Sequence, residues 1–234
     1  MTSNPVALVT GANKGLGKET ARQLAERGVV VVLGSRDRER GEEAARELAG
    51  TVVPMRLDVT DAGSVREVAG WLEATYGRLD ILVNNAGAVV DQLAERTTAA
   101  EMRQTYEVNV FGVVTVVHAM LPLLNRSAEP RVVNVSSTTA SMSLTSGGTD
   151  FGGDAGLRMA YSSSKAALNM LTVQYAKALP HIRINAATPG YTATDMTRHR
   201  GTRTVAEGAR VIVDLALTAD TTGGFFNDRG RVPW

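Results

Sequence analysis

The sequence predicts an α/β protein built on one doubly wound parallel sheet of about seven strands, with helices on both faces. Short apolar runs rich in β-branched residues alternate along the chain with helical patterns, as expected when strands are buried on both faces. A glycine-rich turn joins the first strand to the first helix. No internal repeat or linker interrupts the 234 residues, so we predict a single domain over residues 1–234.

Composition excludes several classes of function. A net charge of +1 gives no reason to expect nucleic acid or an acidic membrane surface as a partner. Cysteine is absent and the three histidines lie far apart, so we expect no disulfide and no metal site. We see no charged leader with an apolar stretch behind it, and no apolar run of roughly 18 residues. A cytoplasmic protein without a membrane partner is therefore expected.

The first strand, residues 6–10, leads directly into the glycine-rich loop 10–17, Thr-Gly-Ala-Asn-Lys-Gly-Leu-Gly. A strand, a glycine turn and a helix start in this order let backbone N–H groups approach a pyrophosphate at the positive end of the helix. The glycine spacing alone is weak, but its place after the first strand favours a dinucleotide site of a Rossmann-type domain over a plain tight turn. The expected cofactor contacts in this loop are Gly11, Asn13, Lys14, Gly15, Leu16 and Gly17.

The second strand, residues 28–33, is followed by Ser35 and Arg36. A site selective for NAD needs a carboxylate here to bind the ribose 2′-hydroxyl. This chain instead offers a serine and an arginine, with Lys14 in the loop and two further arginines close by, which would pair with a 2′-phosphate. A solvated basic helix start is the plainer alternative, and Asp37 is a counter-signal. We favour NADP(H) as the cofactor.

The third strand, residues 52–57, contains Pro54, which cannot donate a ladder hydrogen bond and so predicts an edge strand. Helices are expected before it at 38–49 and after it at 61–77, and the fourth strand at 79–83. In the strand order 3-2-1-4-5-6 the third strand is indeed the edge. The cofactor contacts expected after these strands are Asp58, Val59, Asn85, Ala86 and Gly87.

The middle of the chain combines a long apolar helix, 100–125, with a fifth strand, 131–137. Asn109 lies in the middle of that helix, where an asparagine is usually a hydrogen-bonded core residue. Ser137 ends the strand, at the edge where ligands of open parallel sheets bind. Residues 138–160 are rich in glycine, serine and threonine and indicate a loop, and a loop of this length is usually functional or disordered.

Tyr161 and Lys165 are four positions apart and therefore share one face of a helix that ends before Pro180. An ammonium beside a phenol favours the phenolate, and a free phenol has a pKa of about 10. The pair thus indicates a tyrosine that acts as an acid near neutral pH. The plain alternative is one exposed tyrosine and one exposed lysine, and the motif alone is only moderately specific.

The last part of the chain contains a sixth strand, 182–187, a turn at Pro189, an Arg-rich segment, 197–203, and a helix, 204–217. Residues 224–227 indicate a possible final strand. The cofactor contacts expected after the sixth strand are Pro189, Gly190, Thr192 and Thr194.

Taken in order, these motifs resemble those of the short-chain dehydrogenases/reductases, and the resemblance spans essentially the whole chain. The motifs that carry it are 10–17, 84–87, Asn109, Ser137, Tyr161 with Lys165, and Pro189-Gly190. The sequence Gly-Ala-Asn-Lys-Gly in the loop and Ser-Arg-Asp after the second strand look most like the carbonyl-reductase branch.

The resemblance implies an NADPH-dependent reductase that transfers a hydride to a ketone or aldehyde, or oxidises an alcohol in reverse. It implies that Tyr161 supplies the proton and that Ser137 binds the carbonyl oxygen. Lys165 would lower the pKa of the tyrosine and hold the nicotinamide ribose, and Asn109 would anchor a water that relays protons. Tyr161 and Lys165 are therefore also expected cofactor contacts. Alcohol oxidation as the cell's direction, or a non-catalytic dinucleotide-binding sensor or scaffold, are the alternatives.

One departure from the family concerns Ser137 and Tyr161, which are separated more widely than in most members, with the extra residues in 138–160. Members of the carbonyl-reductase branch also carry an insertion there, generally a longer one. They tend to be monomers because the insertion covers the two long helices through which other members associate. We therefore favour a monomer over a dimer or tetramer, with a small-molecule carbonyl or alcohol as the binding partner.

Overall fold

The computed structural model describes residues 4–151 and 158–234. The strands are β1 (Val6–Val9), β2 (Val30–Ser35), β3 (Val52–Arg56), β4 (Ile81–Asn84), β5 (Arg131–Val135), β6 (Arg183–Ala187), β7 (Phe225–Asn227) and β8 (Gly230–Arg231). They form one sheet in the order β3-β2-β1-β4-β5-β6-β7-β8. The first seven strands are parallel, whereas β8 pairs antiparallel with β7. The doubly wound sheet is confirmed, with one short strand more than expected.

Helices cover both faces of this sheet, because neighbouring residues of each buried strand point to opposite sides. The helices are α1 (Gly15–Ala25), α2 (Arg38–Arg46), α3 (Ala62–Tyr76), α4 (Ala99–Tyr106), α5 (Gly112–Leu124), α6 (Met142–Ser146), α7 (Met159–Ala178) and α8 (Val205–Thr218). In β1, Leu8 packs into a core with α3, α5 and α7, and Val9 packs into a second core with α1 and α8.

The edge position of β3 is confirmed, since β3 pairs only with β2 among the described residues. Pro54 is thus tolerated in a strand that has one free side. The bounds of α3 are also close to those expected. The side chain of Asp61 accepts a hydrogen bond from the amide of Gly63 at its start, and Gly77 ends it in the left-handed conformation.

Two expectations for the middle of the chain need correction. The predicted helix 100–125 is continuous, but its segment Glu107–Phe111 is a π-helix between α4 and α5. The predicted loop 138–160 contains a 3₁₀ turn, Thr138–Ala140, and the short helix α6, while α7 begins two residues before Tyr161. Residues 152–157 lie outside the described part of the chain. Such short polar turns have no hydrophobic periodicity that would reveal them in the sequence.

The described part of the 138–160 segment packs on the C-terminal residues. The hydroxyl of Ser141 donates to the carbonyl of Pro233 (2.8 Å), and the amide of Ser143 donates to the carbonyl of Trp234 (2.9 Å). Leu144 joins the small apolar cluster at this end of the sheet. This part of the segment therefore lies against the C-terminus. The monomer hypothesis expected it to cover the two long helices instead.

Large apolar side chains remain exposed on those helices, among them Phe111 and Met170. The reason given for a monomer is thus not found in the described residues 138–151, and the oligomeric state stays a prediction.

The stretch Ala99–Leu124 is long and apolar enough to cross a membrane by length and composition, contrary to the expectation that no such run exists. Half of its most apolar window is buried in the protein, as in an ordinary core helix, so it is weak evidence for a membrane span.

Candidate active site

A cleft of about 1030 Å³ opens at the carboxyl ends of the parallel strands. Every residue expected to contact the cofactor lines it: Gly11, Asn13, Lys14, Gly15, Leu16, Gly17, Ser35, Arg36, Asp58, Val59, Asn85, Ala86, Gly87, Tyr161, Lys165, Pro189, Gly190, Thr192 and Thr194. Of the four residues with an expected catalytic role, three line the same cleft: Ser137, Tyr161 and Lys165. Asn109 is fully buried behind its wall.

The glycine loop closes tightly on the segment after β4. Gly11 has a φ of +62°, and a Cβ there would lie 2.9 Å from the Cα of Ala86. A Cβ at Gly17 would lie 2.5 Å from the carbonyl oxygen of Gly11 and would also collide with the side chain of Asn85. Only glycine fits these two positions, and the space they leave open belongs to the cleft.

The side chains of Thr10 and Asn85 hold this arrangement together. Asn85 Nδ2 donates to the carbonyls of Thr10 (2.9 Å) and Gly11 (3.0 Å). The hydroxyl of Thr10 accepts from the backbone amides of Asn85 and Ala86, both at 3.0 Å. The side chain of Asn85 is thus a brace between loop and strand end.

The start of α1 faces the cleft with its backbone donors uncapped. Lys14 occupies the N-cap position without a side-chain hydrogen bond, and the first turn contains no acidic residue. The first N–H groups of a helix need an acceptor, and the helix dipole favours an anion there. A phosphate group of a dinucleotide therefore fits this position.

The end of β2 presents a mixed cluster of charges. Ser35 is buried, and its hydroxyl donates to the carbonyl of Asp37 (2.7 Å). The carboxylate of Asp37 caps α2 by accepting from the amide of Arg40 (3.1 Å) and also pairs with its guanidinium (3.4 Å). The carboxylate that counted against NADP(H) is therefore engaged by α2, while Arg36 is exposed at the rim of the cleft.

Lys14 spans the opening of the cleft. Its Nζ donates to Asp195 Oδ2 at 2.5 Å, and both side chains are more than half exposed. This hydrogen bond is the main reason why the pKa of Asp195 lies below its usual value. Asp195 begins the 3₁₀ turn Asp195–Thr197, so the contact joins the glycine loop to the segment that follows β6.

Tyr161 and Lys165 are both buried, with 8% and 3% of their surfaces exposed. Lys165 Nζ lies 5.8 Å from the centre of the tyrosine ring and donates to the carbonyl of Val135 (2.8 Å). Burial lowers the pKa of Lys165 to about 8. Burial also raises the pKa of Tyr161, and the charge of Arg158 and then the Ser137 hydroxyl oppose that rise. The phenol and the ammonium are neighbours, as their spacing indicated.

Ser137 lies two residues after the end of β5 and lines the cleft. Its hydroxyl is 3.0 Å from the hydroxyl of Thr139 and accepts from the Thr139 amide at 3.3 Å. These local contacts fix the direction of the Ser137 side chain.

Asn109 sits in the π-helical segment, and its side chain is engaged with the protein. Its Nδ2 donates to the carbonyl of Ala88 and to the hydroxyl of Ser164, both at 2.9 Å, while its Oδ1 accepts from the amide of Ala88 (2.8 Å). Ser164 in turn donates to the carbonyl of Tyr161 (2.7 Å). Both amide hydrogens of Asn109 therefore have protein partners, and the role of water anchor stays a prediction.

The sequence reasoning missed Arg158, which also lines the cleft. Its Cζ lies 5.9 Å from the centre of the Tyr161 ring, close to the corresponding distance for Lys165. The signal was its position three residues before Tyr161, since residues at that spacing share a helix face. Arg158 falls in the stretch 138–160 that the sequence predicts to be a loop, where helical spacing is not expected to apply.

The family model for short-chain dehydrogenases matches residues 5–205. Short-chain dehydrogenase/reductase 1 of Saponaria officinalis is 39% identical, over 97% of this chain and 94% of that protein. Salutaridine reductase of Papaver bracteatum is 34% identical, over 97% and 95%. The solved structure of salutaridine reductase from Papaver somniferum superposes with a TM-score of 0.83 at 31% identity, covering 96% of this chain and all of that one.

The chain belongs to the short-chain dehydrogenases, and it is an oxidoreductase of that family. The resemblance stated from the motifs is thereby confirmed. The alignment with the Saponaria protein is 285 positions long, whereas this chain has 234 residues. That relative therefore contains stretches with no counterpart here.

Proposed function

We propose that this protein is an NADPH-dependent reductase of ketones or aldehydes, able to oxidise the corresponding alcohol in reverse. The observation that carries the proposal is that a buried tyrosine, a buried lysine and a serine line the same cleft as the start of α1, which has no side-chain cap. The names of several relatives agree with this chemistry: (+)-neomenthol dehydrogenase, salutaridine reductase and (-)-isopiperitenone reductase. We further propose that residues 1–234 act as one domain, because the first strand of the chain, β1, and the last, β8, belong to the same sheet.

The residues present fit a phosphorylated dinucleotide. The N-terminus of α1 would hold the pyrophosphate, because its N–H groups have no side-chain cap. Arg36 and Lys14 would hold the 2′-phosphate, since both line the cleft near the end of β2 or the loop beside it. When bound, the reduced dinucleotide supplies the hydride that reduces the carbonyl carbon.

Tyr161 would donate the proton that the carbonyl oxygen needs once it becomes negatively charged. A positioned acid of this kind commonly contributes about 10²–10⁴ in rate. The ammonium of Lys165 favours the phenolate that remains after the proton has left. Burial of both groups strengthens that attraction, because the effective dielectric constant falls away from water.

Ser137 would hydrogen-bond the substrate oxygen as its charge develops. Its hydroxyl is oriented by Thr139 and lies in the same cleft as the Tyr161 phenol. A donor that is already in place costs no reorganisation when the charge forms. Asn109 would act indirectly, by tying the Ala88 backbone to the Tyr161 helix through Ser164.

The test is NADPH oxidation by the purified protein against a panel of aldehydes, ketones and quinones, with NADH in parallel. Cofactor affinities come from fluorescence titration of both dinucleotides. We expect turnover with at least one carbonyl compound and tighter binding of NADPH than of NADH. Equal or tighter NADH binding would contradict the cofactor assignment. NADPH binding without turnover of any carbonyl or alcohol would support the sensor or scaffold alternative.

A further inference from the structure

Arg158 is a buried cation to which the proposed chemistry assigns no task. It is the residue before α7, only 8% of its surface is exposed, and it lines the cleft. Burying a guanidinium is costly unless it is paired and hydrogen-bonded. The burial of the Arg158 guanidinium therefore needs a structural or functional explanation.

Two segments that are distant in the sequence hold the Arg158 side chain in place. Its Nε donates to Asp91 Oδ1 at 3.1 Å, and an Nη donates to the carbonyl of Met196 at 3.1 Å. Asp91 belongs to the stretch between β4 and α4, and its other oxygen accepts from Arg198 at 3.3 Å. A planar guanidinium bound on two sides keeps one orientation, which a flexible surface arginine would not.

This fixed charge lies beside the proposed acid. The Cζ of Arg158 is 5.9 Å from the centre of the Tyr161 ring, and Nζ of Lys165 is 5.8 Å from it. The two cations differ in kind. Lys165 can lose its proton, and its burial favours the neutral form. A guanidinium keeps its charge at every pH at which a protein is folded.

We propose that Arg158 is a positioning residue that acts on proton transfer by Tyr161, as a permanent cation beside the phenol with Asp91 as its counter-charge. The inference rests on the proposed function, because it takes Tyr161 as the acid. It is consistent with the electrostatics of the site, where the charge of Arg158 opposes the rise in the pKa of Tyr161 that burial causes.

Other charged or titratable groups line the same cleft or contact Arg158 directly. Lys165 comes from the same helix and Asp91 from the stretch after β4. Those that line the cleft from the π-helix and from the segment after β6 are Glu107, Tyr191 and Asp195. Arg198 reaches the cluster through Asp91. None of these side chains is itself replaced in a variant of Arg158, but Asp91 loses a partner, so variants of both members of the pair are needed to isolate the contribution of Arg158.

The experiment compares Arg158→Met with the wild-type protein in pH–rate profiles of both directions. Methionine keeps a long apolar side chain but removes the charge. Without the cation the phenolate is less stable, so the pKa of Tyr161 rises. The acidic limb of alcohol oxidation, which needs the phenolate, should move to higher pH, and so should the alkaline limb of carbonyl reduction. Each pH unit of movement lowers oxidation about tenfold at a fixed pH below the midpoint.

Asp91→Asn separates an electrostatic role from a structural one. Asparagine can still accept a hydrogen bond from Arg158 but removes the counter-charge, so both limbs should move to lower pH. A purely structural role predicts the same direction of change in both variants, because each breaks the same ion pair. Arg158→Lys keeps a positive charge, so its limbs should lie closer to those of the wild type than the limbs of Arg158→Met do. Arg198→Gln is the matched control, since it removes an exposed cation bound to the same carboxylate, and its limbs should move least.

An unshifted limb in Arg158→Met or in Asp91→Asn, or shifts of the same sign, overturns the inference and leaves the proposed function intact. Near-normal turnover by Tyr161→Phe overturns both. If Arg158→Met loses all activity, carbon-labelled tyrosine and NMR decide the matter without turnover, with the Tyr161 signal assigned from Tyr161→Phe. We expect that signal to titrate at a higher pH in Arg158→Met than in the wild type. An unchanged or lower titration rejects the role.

Discussion

The two sides of the cleft differ in the groups that form them, which are backbone groups on one side and charged side chains on the other. On the side of α1, the glycine loop and the segment after β4 meet through backbone groups, and Gly11 and Gly17 leave no room for a Cβ. On the side of α7, the cleft is walled by charged side chains that are buried, chiefly Lys165 and Arg158. The first side is a fitted backbone surface, and the second is a set of buried charges.

The difference shows what each side can tolerate. A fitted backbone fails by collision, and such a failure affects folding and cofactor binding together. Buried charges fail by losing their electrostatic balance, which alters pH dependence while the fold survives. Because an ion is costly to bury, the buried charges on the α7 side should lower the free energy of unfolding of the protein.

The sharpest test of the α7 side is Tyr161→Phe. Removing the phenolic hydroxyl should keep the fold and cofactor binding but lower turnover by at least about 10²-fold, since only the proton donor is lost. Rates are measured with the best substrate of the panel, and cofactor affinity by fluorescence. Tyr175→Phe, on the same helix, is the matched control and should turn over normally. A Tyr161→Phe protein with near-normal kcat would assign the acid to another group.

The cost of the buried lysine is tested by Lys165→Met. Burial lowers the pKa of Lys165 to about 8 in the folded protein, from 10.5 for an exposed lysine. Between these values the unfolded chain holds a proton that the folded protein has released. Wild-type stability relative to the variant should therefore rise from about pH 8 to about pH 10.5, by up to about 3 kcal/mol.

Urea unfolding of both proteins across that pH range measures the effect, without cofactor. Lys177→Met replaces an exposed lysine of the same helix and should leave the pH dependence of unfolding as in the wild type. A stability difference between Lys165→Met and wild type that does not vary with pH would show that burial has not shifted Lys165.

The α1 side is tested by Gly17→Ala. The added Cβ would meet the Gly11 carbonyl and the Asn85 side chain, so we expect a loss of about 1–3 kcal/mol in the free energy of unfolding, together with weaker NADPH binding. Gly70→Ala is the matched control. A Cβ at Gly70, inside α3, meets nothing within 4 Å. Alanine there should raise the free energy of unfolding by about 0.5–1 kcal/mol. If both variants were equally stable, the loop would not be tightly fitted.

The α1 side was also the part that the sequence revealed most fully. Its strands are local apolar runs, its glycines are imposed by close contacts, and Pro54 marks the edge, so each signal is contained in a few consecutive residues. The side chains of α7 could be read only in part. The spacing of Tyr161 and Lys165 was visible, because a helix fixes which residues share a face.

What the sequence did not reveal depends on contacts between distant segments. Arg158 is held by Asp91 and Met196, which no local pattern connects to it. The short helix α6 lies against the C-terminal residues, through Ser141 and its neighbours. The π-helical segment around Asn109 has the hydrophobic pattern of an ordinary helix. Tertiary packing decides these features, and local propensity does not.

Cofactor selectivity refines the comparison at the rim of the α1 side. Arg36→Asp places a carboxylate where a 2′-phosphate would bind, so NADPH affinity should fall roughly tenfold or more, while NADH affinity changes little. Fluorescence titration of both cofactors measures it. Arg38→Asp is the matched control, because Arg38 pairs with Glu42 and is not among the residues that line the cleft in the described structure. Equal losses for both cofactors would remove Arg36 from the phosphate site.

The smallest expected effect concerns the contact between Lys14 of the glycine loop, on the α1 side, and Asp195 of the segment that follows β6. Both side chains are exposed, and such a pair is worth only about 0.2–1 kcal/mol. Asp195→Asn should therefore barely change stability. It would free Lys14 for a 2′-phosphate, so NADPH should bind up to about fivefold more tightly while NADH affinity stays the same.

The gain for Asp195→Asn should shrink as salt is added, because both charges are screened. Glu73→Gln breaks a comparable exposed pair with Arg126, outside the residues that line the cleft in the described structure. It should therefore leave both cofactor affinities unchanged. If NADPH binding instead weakened in Asp195→Asn, then Asp195 would help to hold Lys14 in its binding position. The pair would then stabilise the cofactor site, and selectivity on the α1 side would depend on the segment that follows β6.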